Sequence, residues 1–186
     1  MKVIPLYKNE DQLIKKASRN NREAQRQLYE MFAPRMLSVC RYYIRDVHQA
    51  EEVMLNGFLK VFTHIRSFRN EGSFEGWIRR IMVREAISFA RRQKKIEFST
   101  DQVENYQQQT VDAVDMEVDE IQLLIDELPE GYKLVFVMYA IEGYKHHEIA
   151  ETLNISVGTS KSQLFKARRM LQEKIKRINK VRHGTT

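Results

Sequence analysis

The chain has 186 residues, of which 42% are hydrophobic, enough for packed cores and too many for a disordered chain. Three prolines and seven glycines leave room for long helices and argue against a turn-rich β-sandwich. The net charge of +6 favours a polyanionic partner such as nucleic acid or an anionic membrane surface. A single cysteine, Cys40, excludes an internal disulfide and fits a reducing, cytosolic compartment.

Neither a leader sequence nor a membrane span is expected. Residues 1–9 contain no apolar run long enough for a signal peptide. No stretch approaches the roughly 18–20 apolar residues of a transmembrane helix. The sequence therefore predicts a cytoplasmic protein without stable membrane insertion.

Charge divides the chain into three parts. The net charge is +10 for residues 1–95, −11 for residues 96–132 and +7 for residues 133–186. This segregation favours two basic modules flanking an acidic connector over a simple solvated face. Residues 97–112 are polar and lack helical periodicity, which indicates a flexible linker.

The first module has the pattern of amphipathic helices. Residues 21–43 and a segment that begins at Asp46 repeat apolar residues at steps of three and four, and Pro34 predicts a break or kink. After the polar loop 66–74, a helix is predicted over 75–95. One face of that helix is basic, with Arg80, Arg84 and Arg91.

The loop 66–74 carries aromatic residues beside this arginine face. Single-stranded DNA binding requires such a combination, because aromatic rings stack on bases and arginines bind phosphates. By itself, the pattern equally fits a helix-loop-helix whose aromatic residues belong to the core.

The second module has the pattern of a helix-turn-helix. A helix is predicted from Pro129 to Glu142, and a second comes after it that includes the small Ala150. Asn154 stands at the turn, where a left-handed conformation is needed, and Ser156 is a good N-cap for the next helix.

The last helix has the composition of a DNA recognition helix. Small and hydroxyl residues near its start allow close approach to DNA, and basic residues bind phosphates and guanine edges. The candidate residues for duplex DNA are Ser156, Gly158, Thr159, Lys161, Ser162, Phe165, Lys166, Arg168 and Arg169. The alternative is an ordinary basic amphipathic helix of a bundle.

A histidine pair in the second module, His146 and His147, next to Glu148, could suggest a metal site. Adjacent histidines point to different faces of a helix, and no carboxylate or cysteine set completes a tetrahedral site. We therefore expect neither a metal nor a cofactor.

Together, the two modules resemble the extracytoplasmic-function (ECF) sigma factors of the bacterial sigma-70 family, over about residues 10–178. Residues 46–62 are similar to the family's core-polymerase-binding helix, and residues 74–92 to its −10-reading helix. The −35-reading domain is matched by Leu128-Pro129, Glu148–Ala150, Ile155–Thr159 and Ala167-Arg168.

The resemblance implies an all-α protein with two helical domains. A sigma-2-like helical bundle over 10–95 and a sigma-4-like helix-turn-helix domain over 119–180 are joined by a flexible acidic linker over 96–118. The implied function is transcription initiation without catalysis, by binding core RNA polymerase and promoter DNA. The −10 element would be read as a melted strand with a flipped base, and the −35 element as duplex. An anti-sigma factor is a further implied partner.

The resemblance also implies roles for individual residues. Phe68, Asn70 and Ser73 would form the pocket for the flipped base, and Arg168 would be foremost among the −35 contacts. The full −10 set is Phe68, Arg69, Asn70, Ser73, Trp77, Arg80 and Arg84. The polymerase-binding set is Glu51, Glu52, Leu55, Asn56, Phe58 and Lys60.

Several positions depart from the family pattern. Leu55-Asn56 stands where the family often has Gln-Glu, which alters two expected polymerase contacts. Ser160 replaces a usual Val or Ile and is expected to weaken packing of the recognition helix. Gln163 replaces a frequent Arg and removes one basic group.

Three other classes of protein fit the sequence less well. A response-regulator-like transcription factor would need an alternating strand-helix pattern with an acidic pocket in residues 1–95, and none is present. A nuclease would need clustered carboxylates for metal, whereas here the carboxylates crowd into the linker. A membrane-surface helix protein would not need a helix-turn-helix.

Overall fold

The computed structural model describes residues 10–93, 98 and 118–182. Helices are the only regular elements in these ranges, and the chain divides into two compact units near Phe89. The all-α class and the two helical domains are therefore confirmed. The predicted acidic linker over 96–118 lies almost entirely outside the described residues.

Local capping chemistry sets the helix starts of the first unit. The side chain of Asn21 accepts a hydrogen bond from the backbone N–H of Ala24, and Asp46 accepts one from Gln49. The helices are α1 (Glu10–Ala17), α2 (Arg22–Tyr43), α3 (Val47–His64) and α4 (Phe74–Gln93), with a short 3-10 turn, Ile65–Ser67, after α3.

Helix α2 continues through Pro34, so of the predicted break or kink the break is wrong, and the kink stays a prediction. Proline removes one backbone hydrogen bond, but packing of an apolar face can hold a helix across such a defect. Buried residues lie on both sides of Pro34, namely Leu28, Phe32, Met36 and Val39. Tertiary packing therefore outweighs the local cost.

Helix α3 approaches α4 closely at a glycine. A Cβ atom at Gly57 would lie 2.3 Å from the Sδ atom of Met82, which is closer than van der Waals contact permits. Buried apolar residues lie on the same two helices, namely Val53, Phe58, Val61, Ile78 and Val83. The absence of a side chain at position 57 therefore sets the separation of α3 and α4 at this point.

Over residues 118–182 of the second unit, the structure describes four α-helices and a wide π turn. The helices are α5 (Val118–Asp126), α6 (Glu130–Phe136), α7 (His146–Leu153) and α8 (Val157–Arg182). The predicted helix over 129–142 is regular only to Phe136, because Val137–Ile141 form the π turn. The backbone N–H of Glu142 donates to the carbonyl of Val137, five residues back.

The core of the second unit has two parts. Leu124 and Leu128 pack with Ala167 and Leu171, so the middle of α8 is anchored on α5. Closer to the start of α8, the apolar residues Leu134, Val137, Met138, Ile149, Leu153 and Leu164 are buried. Lys133 is also buried, and its Nζ atom lies 3.5 Å from a carboxylate oxygen of Glu130.

Candidate nucleic-acid interface

The turn between α7 and α8 has the geometry that the sequence predicted. Asn154 adopts the left-handed conformation, with φ 53° and ψ 52°. The backbone N–H of Ile155 donates to the carbonyl of Ala150, which closes the turn. Ile149, Ala150 and Leu153 are buried, so the apolar face of α7 packs in the core of the second unit. The predicted helix-turn-helix is confirmed.

Helix α8 begins with a side-chain cap. The Oγ atom of Ser156 accepts a hydrogen bond of 2.9 Å from the backbone N–H of Thr159, as predicted for an N-cap. The hydroxyls of Ser156 and Thr159 lie 2.8 Å apart and bond each other. Both hydroxyls therefore order the start of the helix.

The candidate DNA-contacting residues of α8 differ in exposure. Four are exposed, namely Ser156, Gly158, Lys161 and Arg169. Four are half-buried, namely Thr159, Phe165, Lys166 and Arg168. Gly158, Lys161, Phe165 and Arg168 succeed one another at steps of three and four and share a face of α8.

Ser162 does not belong to the exposed set. It is only 4% exposed, and its hydroxyl donates a 3.0 Å hydrogen bond to the carbonyl of Thr159. A short hydroxyl side chain that bonds its own helix backbone has little reach toward a ligand. This contradicts the expectation that Ser162 lies on the contacting face.

The two departures on α8 are buried. Ser160 is fully buried, and its Oγ atom lies 2.9 Å from Nδ1 of His146 at the start of α7. A polar contact between α7 and α8 therefore forms at the position where the family resemblance implied an apolar side chain. Gln163 is fully buried too.

Charge and burial act together on His146. Burial, followed by the positive charges of Lys161 and Arg168, lowers the pKa of this imidazole. The ring also stacks on Tyr139 with the centroids 4.7 Å apart. Within the described residues, no three His, Cys, Asp or Glu side chains converge to hold a metal ion.

The loop between α3 and α4 is shaped by two left-handed residues. Asn70 has a φ of 60° and Gly72 a φ of 122°. Arg69 and Asn70 are exposed at this turn. Ser73 is exposed too, but its Oγ atom accepts the backbone N–H of Gly76 at 3.0 Å and so caps α4.

Three aromatic rings pack beside this loop. Phe74 is buried, and its ring centroid lies 5.1 Å from that of Phe68 and 5.6 Å from that of Trp77. Phe68 and Trp77 are half-buried, so each keeps part of its ring accessible. Phe74, which the sequence did not single out, anchors the other two.

The arginines of α4 continue the same surface. Trp77, Arg80 and Arg84 are spaced at steps of three and four, and both arginines are exposed. This segment of the first unit therefore carries an exposed turn, two partly accessible rings and two exposed arginines.

The candidate polymerase-binding residues lie on α3. Glu51, Glu52, Leu55 and Asn56 are exposed. Lys60 is exposed and forms a 2.6 Å ion pair with Glu85 of α4. Phe58 is only 2% exposed, and its ring packs on Tyr29 with the centroids 4.9 Å apart. This burial contradicts the assignment of Phe58 as a polymerase contact.

An apolar ridge on α3 was missed in the sequence. Leu55 is 53% exposed, and Leu59, one turn later, is 67% exposed. Leu59 falls outside the stripe of buried positions at Ala50, Met54, Phe58 and Val61. Because Leu59 is out of phase with this buried stripe, the helical periodicity of the sequence could have revealed it as an exposed apolar residue.

Comparison with known proteins decides the family. Residues 28–96 match the family model Sigma-70 region 2, and residues 119–171 match Sigma-70, region 4. The ECF RNA polymerase sigma-E factor of Haemophilus influenzae is 27% identical over 177 residues, which cover 88% of this chain and 93% of that protein. The chain belongs to the ECF branch of the sigma-70 family. It is therefore a sigma factor of transcription initiation.

Other ECF sigma factors show a similar match. The ECF RNA polymerase sigma factor SigW of Bacillus subtilis is 26% identical over 177 residues, with 88% of this chain and 95% of that protein covered. SigM of the same organism is 26% identical over 153 residues, with 78% and 91% covered. The ECF sigma factor described here thus spans nearly the whole length of these relatives.

Two solved structures share the fold of this sigma factor. CnrH, in complex with the cytosolic domain of CnrY, has a TM-score of 0.52 at 19% identity, over 88% of this chain and 95% of that chain. The sigma factor RpoE of Bartonella quintana, in complex with the anti-sigma factor NepR, has a TM-score of 0.55 at 18% identity, over 81% and 96%.

Among the described helices, none combines the length and the apolar character needed to cross a bilayer.

Proposed function

We propose that this ECF sigma factor binds core RNA polymerase through α3 and directs it to promoters by reading two elements. The first domain, over 10–95, binds the −10 element as a melted single strand. The second domain, over 119–180, binds the −35 element in the major groove. The residues between them, 96–118, act as an acidic linker in the nucleic-acid channels of the polymerase, in the cytoplasm.

The observation that carries the proposal is the capped turn before α8 together with the exposed cations of that helix. A capped, left-handed turn at Asn154 precedes a helix whose exposed face carries Lys161 and Arg169. In helix-turn-helix proteins the start of the second helix enters the major groove, where small residues allow close approach and cations bind phosphates. Gly158 supplies that space, and Lys161 lies one turn later.

The −10 reading is supported by the loop between α3 and α4. A flipped base needs a ring to stack on and a polar group to read its edge. Phe68 and Trp77 supply partly accessible rings, and Asn70 is an exposed amide at a left-handed turn. Arg80 and Arg84 extend from this loop along α4, where they would bind the phosphates of the same strand.

Polymerase binding is supported by the exposed face of α3. Leu55 and Leu59 form an apolar ridge, flanked by Glu51, Glu52 and Asn56. Exposed large apolar side chains that lie one turn apart on a helix are typical of a surface covered by a partner. A coiled coil of the polymerase would cover this ridge.

An anti-sigma factor is the second proposed protein partner. RpoE of Bartonella quintana was solved with the anti-sigma factor NepR, and RpoE shares the fold of this chain. An inhibitor that covered the ridge of Leu55 and Leu59 would compete directly with polymerase.

The test is capture of bacterial core RNA polymerase by the tagged full-length chain. Leu55→Asp/Leu59→Asp is expected to lower the captured amount at least tenfold, because two charges would have to be buried. The matched control is Leu123→Asp, a charge at an exposed leucine of the second domain, which is expected to leave capture unchanged. Equal capture by both variants would contradict the role of α3.

A further inference from the structure

One aromatic ring joins three elements of the second domain. Tyr139, in the π turn, stacks on His146 of α7 with the centroids 4.7 Å apart and the planes inclined by 26°. The guanidinium carbon of Arg168 on α8 lies 5.5 Å from the centroid of the same tyrosine ring. Nδ1 of His146 lies 2.9 Å from Oγ of Ser160, also on α8. His146 thus contacts both the ring and the recognition helix.

We infer that Tyr139 is a positioning residue for promoter binding: its ring orders the guanidinium of Arg168, and the contact of His146 with Ser160 fixes the ring relative to α8. The inference deepens the proposed reading of the −35 element and rests on it. Tyr139 itself needs no contact with DNA.

The backbone explains how the ring reaches this position. Val137 and Met138 are fully buried, whereas Tyr139 is half-buried. Tyr139 is the third of the five residues of the π turn, in which the backbone hydrogen bond spans one residue more than in an α-helix. Such turns are frequent at functional sites. Here the turn places an aromatic ring beside α7 and α8 at the end of an otherwise core-forming helix.

Arginine is suited to this arrangement. Its planar guanidinium stacks on an aromatic face while the N–H donors at its edge remain available for a base or a phosphate. Ordering so flexible a side chain in the free protein reduces the entropy lost when DNA binds. A ring under Arg168 therefore favours binding without adding a contact to DNA.

Electrostatics favour the stack. Lys161 and Arg168 face His146 from α8, and an imidazolium between them would repel both cations. The neutral ring stacks on Tyr139 without that repulsion. The contact of His146 with Ser160 is available to this chain because a serine stands at position 160.

The first test needs no DNA. In the free wild-type chain, the δ protons of Arg168 are expected to show an upfield NMR shift from the tyrosine ring. Tyr139→Phe keeps the face of the ring and is expected to keep this shift, whereas Tyr139→Leu is expected to abolish it. An Arg168 signal in the wild type without an upfield shift would overturn the inference, whatever the variants do.

The second test is a double-mutant cycle on a duplex from which the wild-type chain directs initiation. Tyr139→Leu is expected to weaken binding about three- to tenfold, the effect of releasing one long side chain. Tyr139→Phe should bind like the wild type. In an Arg168→Ala background, Tyr139→Leu is expected to have no further effect.

The outcomes separate the inference from the proposed function. If the wild type bound no duplex specifically, the reading of the −35 element would fail, and the NMR test would still decide the position of Arg168. If the wild type bound and Tyr139→Leu weakened binding equally with and without Arg168, the positioning role would be overturned. Thermal unfolding of each variant checks that the second domain remains folded.

Discussion

Gly57 of α3 faces Met82 of α4 so closely that a methyl group at position 57 would overlap the sulfur, at 2.3 Å. Met82 is fully buried, so its thioether has little room to move. Overpacking of a core costs about 1–3 kcal/mol, whereas alanine gains about 1 kcal/mol over glycine within a helix. Gly57→Ala is therefore expected to destabilise the first domain by roughly 1 kcal/mol net.

Urea unfolding monitored by tryptophan fluorescence measures the change in the free energy of unfolding. The fluorescence reports on the first domain, because Trp77 is the only tryptophan in the sequence and belongs to that domain. Met82→Ala makes a cavity that the new methyl group partly fills, so the double variant should be more stable than the sum of the single effects. Additive effects would contradict the contact.

A second prediction concerns the buried cation of α6. The side chain of Lys133 is 5% exposed, and that of its ion-pair partner Glu130 is 22% exposed. Glu130→Gln leaves the ammonium of Lys133 buried beside a neutral amide, and we expect the domain to lose roughly 2 kcal/mol of stability. This loss is smaller than that for a fully buried ion pair, because Glu130 is partly solvated.

Thermal unfolding of the second domain measures this loss, and a matched control lies on α8. Glu173 pairs with Arg169, and both side chains are more than half exposed. Glu173→Gln should change stability by at most about 0.5 kcal/mol, as is usual for a surface pair. If both variants lost the same stability, the burial of Lys133 would have no energetic role.

A third prediction concerns pH. Burial, Lys161 and Arg168 lower the pKa of His146 in the folded chain below its ordinary value of about 6.5, and the ring of Tyr139 packs against it. The unfolded chain therefore binds a proton more readily than the folded one. The contribution of His146 to stability is complete above about pH 6.5 and is lost as the pH falls below that value.

Urea unfolding between pH 7.5 and 5.5 measures this effect. His146→Gln is expected to reduce the loss of stability on acidification of the second domain. The matched control is His147→Gln, since His147 is exposed on the same helix. A pH dependence that His146→Gln leaves as steep as in the wild type would contradict the linkage.

A fourth prediction separates phosphate contacts from mere charge. Lys161 and Lys176 are both exposed on α8, fifteen residues apart, or about 22 Å along the helix. Lys161→Ala should weaken duplex binding and lower the slope of log affinity against log salt by about 1, because one phosphate contact is lost.

Lys176→Ala removes the same charge from the far end of the helix and should leave the salt slope unchanged. Titration of labelled promoter duplex at several salt concentrations measures both variants. Equal slopes for the two variants would mean that only net charge, and no specific contact at Lys161, attracts the DNA.

The parts of the fold that depend on local chemistry could be predicted from the sequence. Asn21, Asp46 and Ser156 cap their helices with their own side chains, and Asn154 takes the left-handed conformation that asparagine tolerates. Each of these features depends on residues within three or four positions, so the sequence pattern contains the necessary information.

The features that depend on tertiary packing could not be predicted in this way. The continuity of α2 through Pro34 depends on core contacts along its whole length. The burial of Lys133 depends on the elements that pack around α6. The contacts of Tyr139 with His146 and Arg168 join residues of three different elements. Phe58 follows Ala50 and Met54 at steps of four residues, a spacing that indicates a core position, whereas the family resemblance implied a polymerase contact. The structure places Phe58 in the core.

The most direct test of the central claim is run-off transcription by core RNA polymerase on a library of genomic promoters, with and without the full-length chain. The proposal predicts new, sequence-specific start sites that share a −35 and a −10 element. Lys161→Ala or Arg84→Ala should lower the amount of transcript from these sites. Unchanged start sites, despite specific binding of the chain to duplex DNA, would contradict the proposal and indicate a DNA-binding regulator that acts without polymerase.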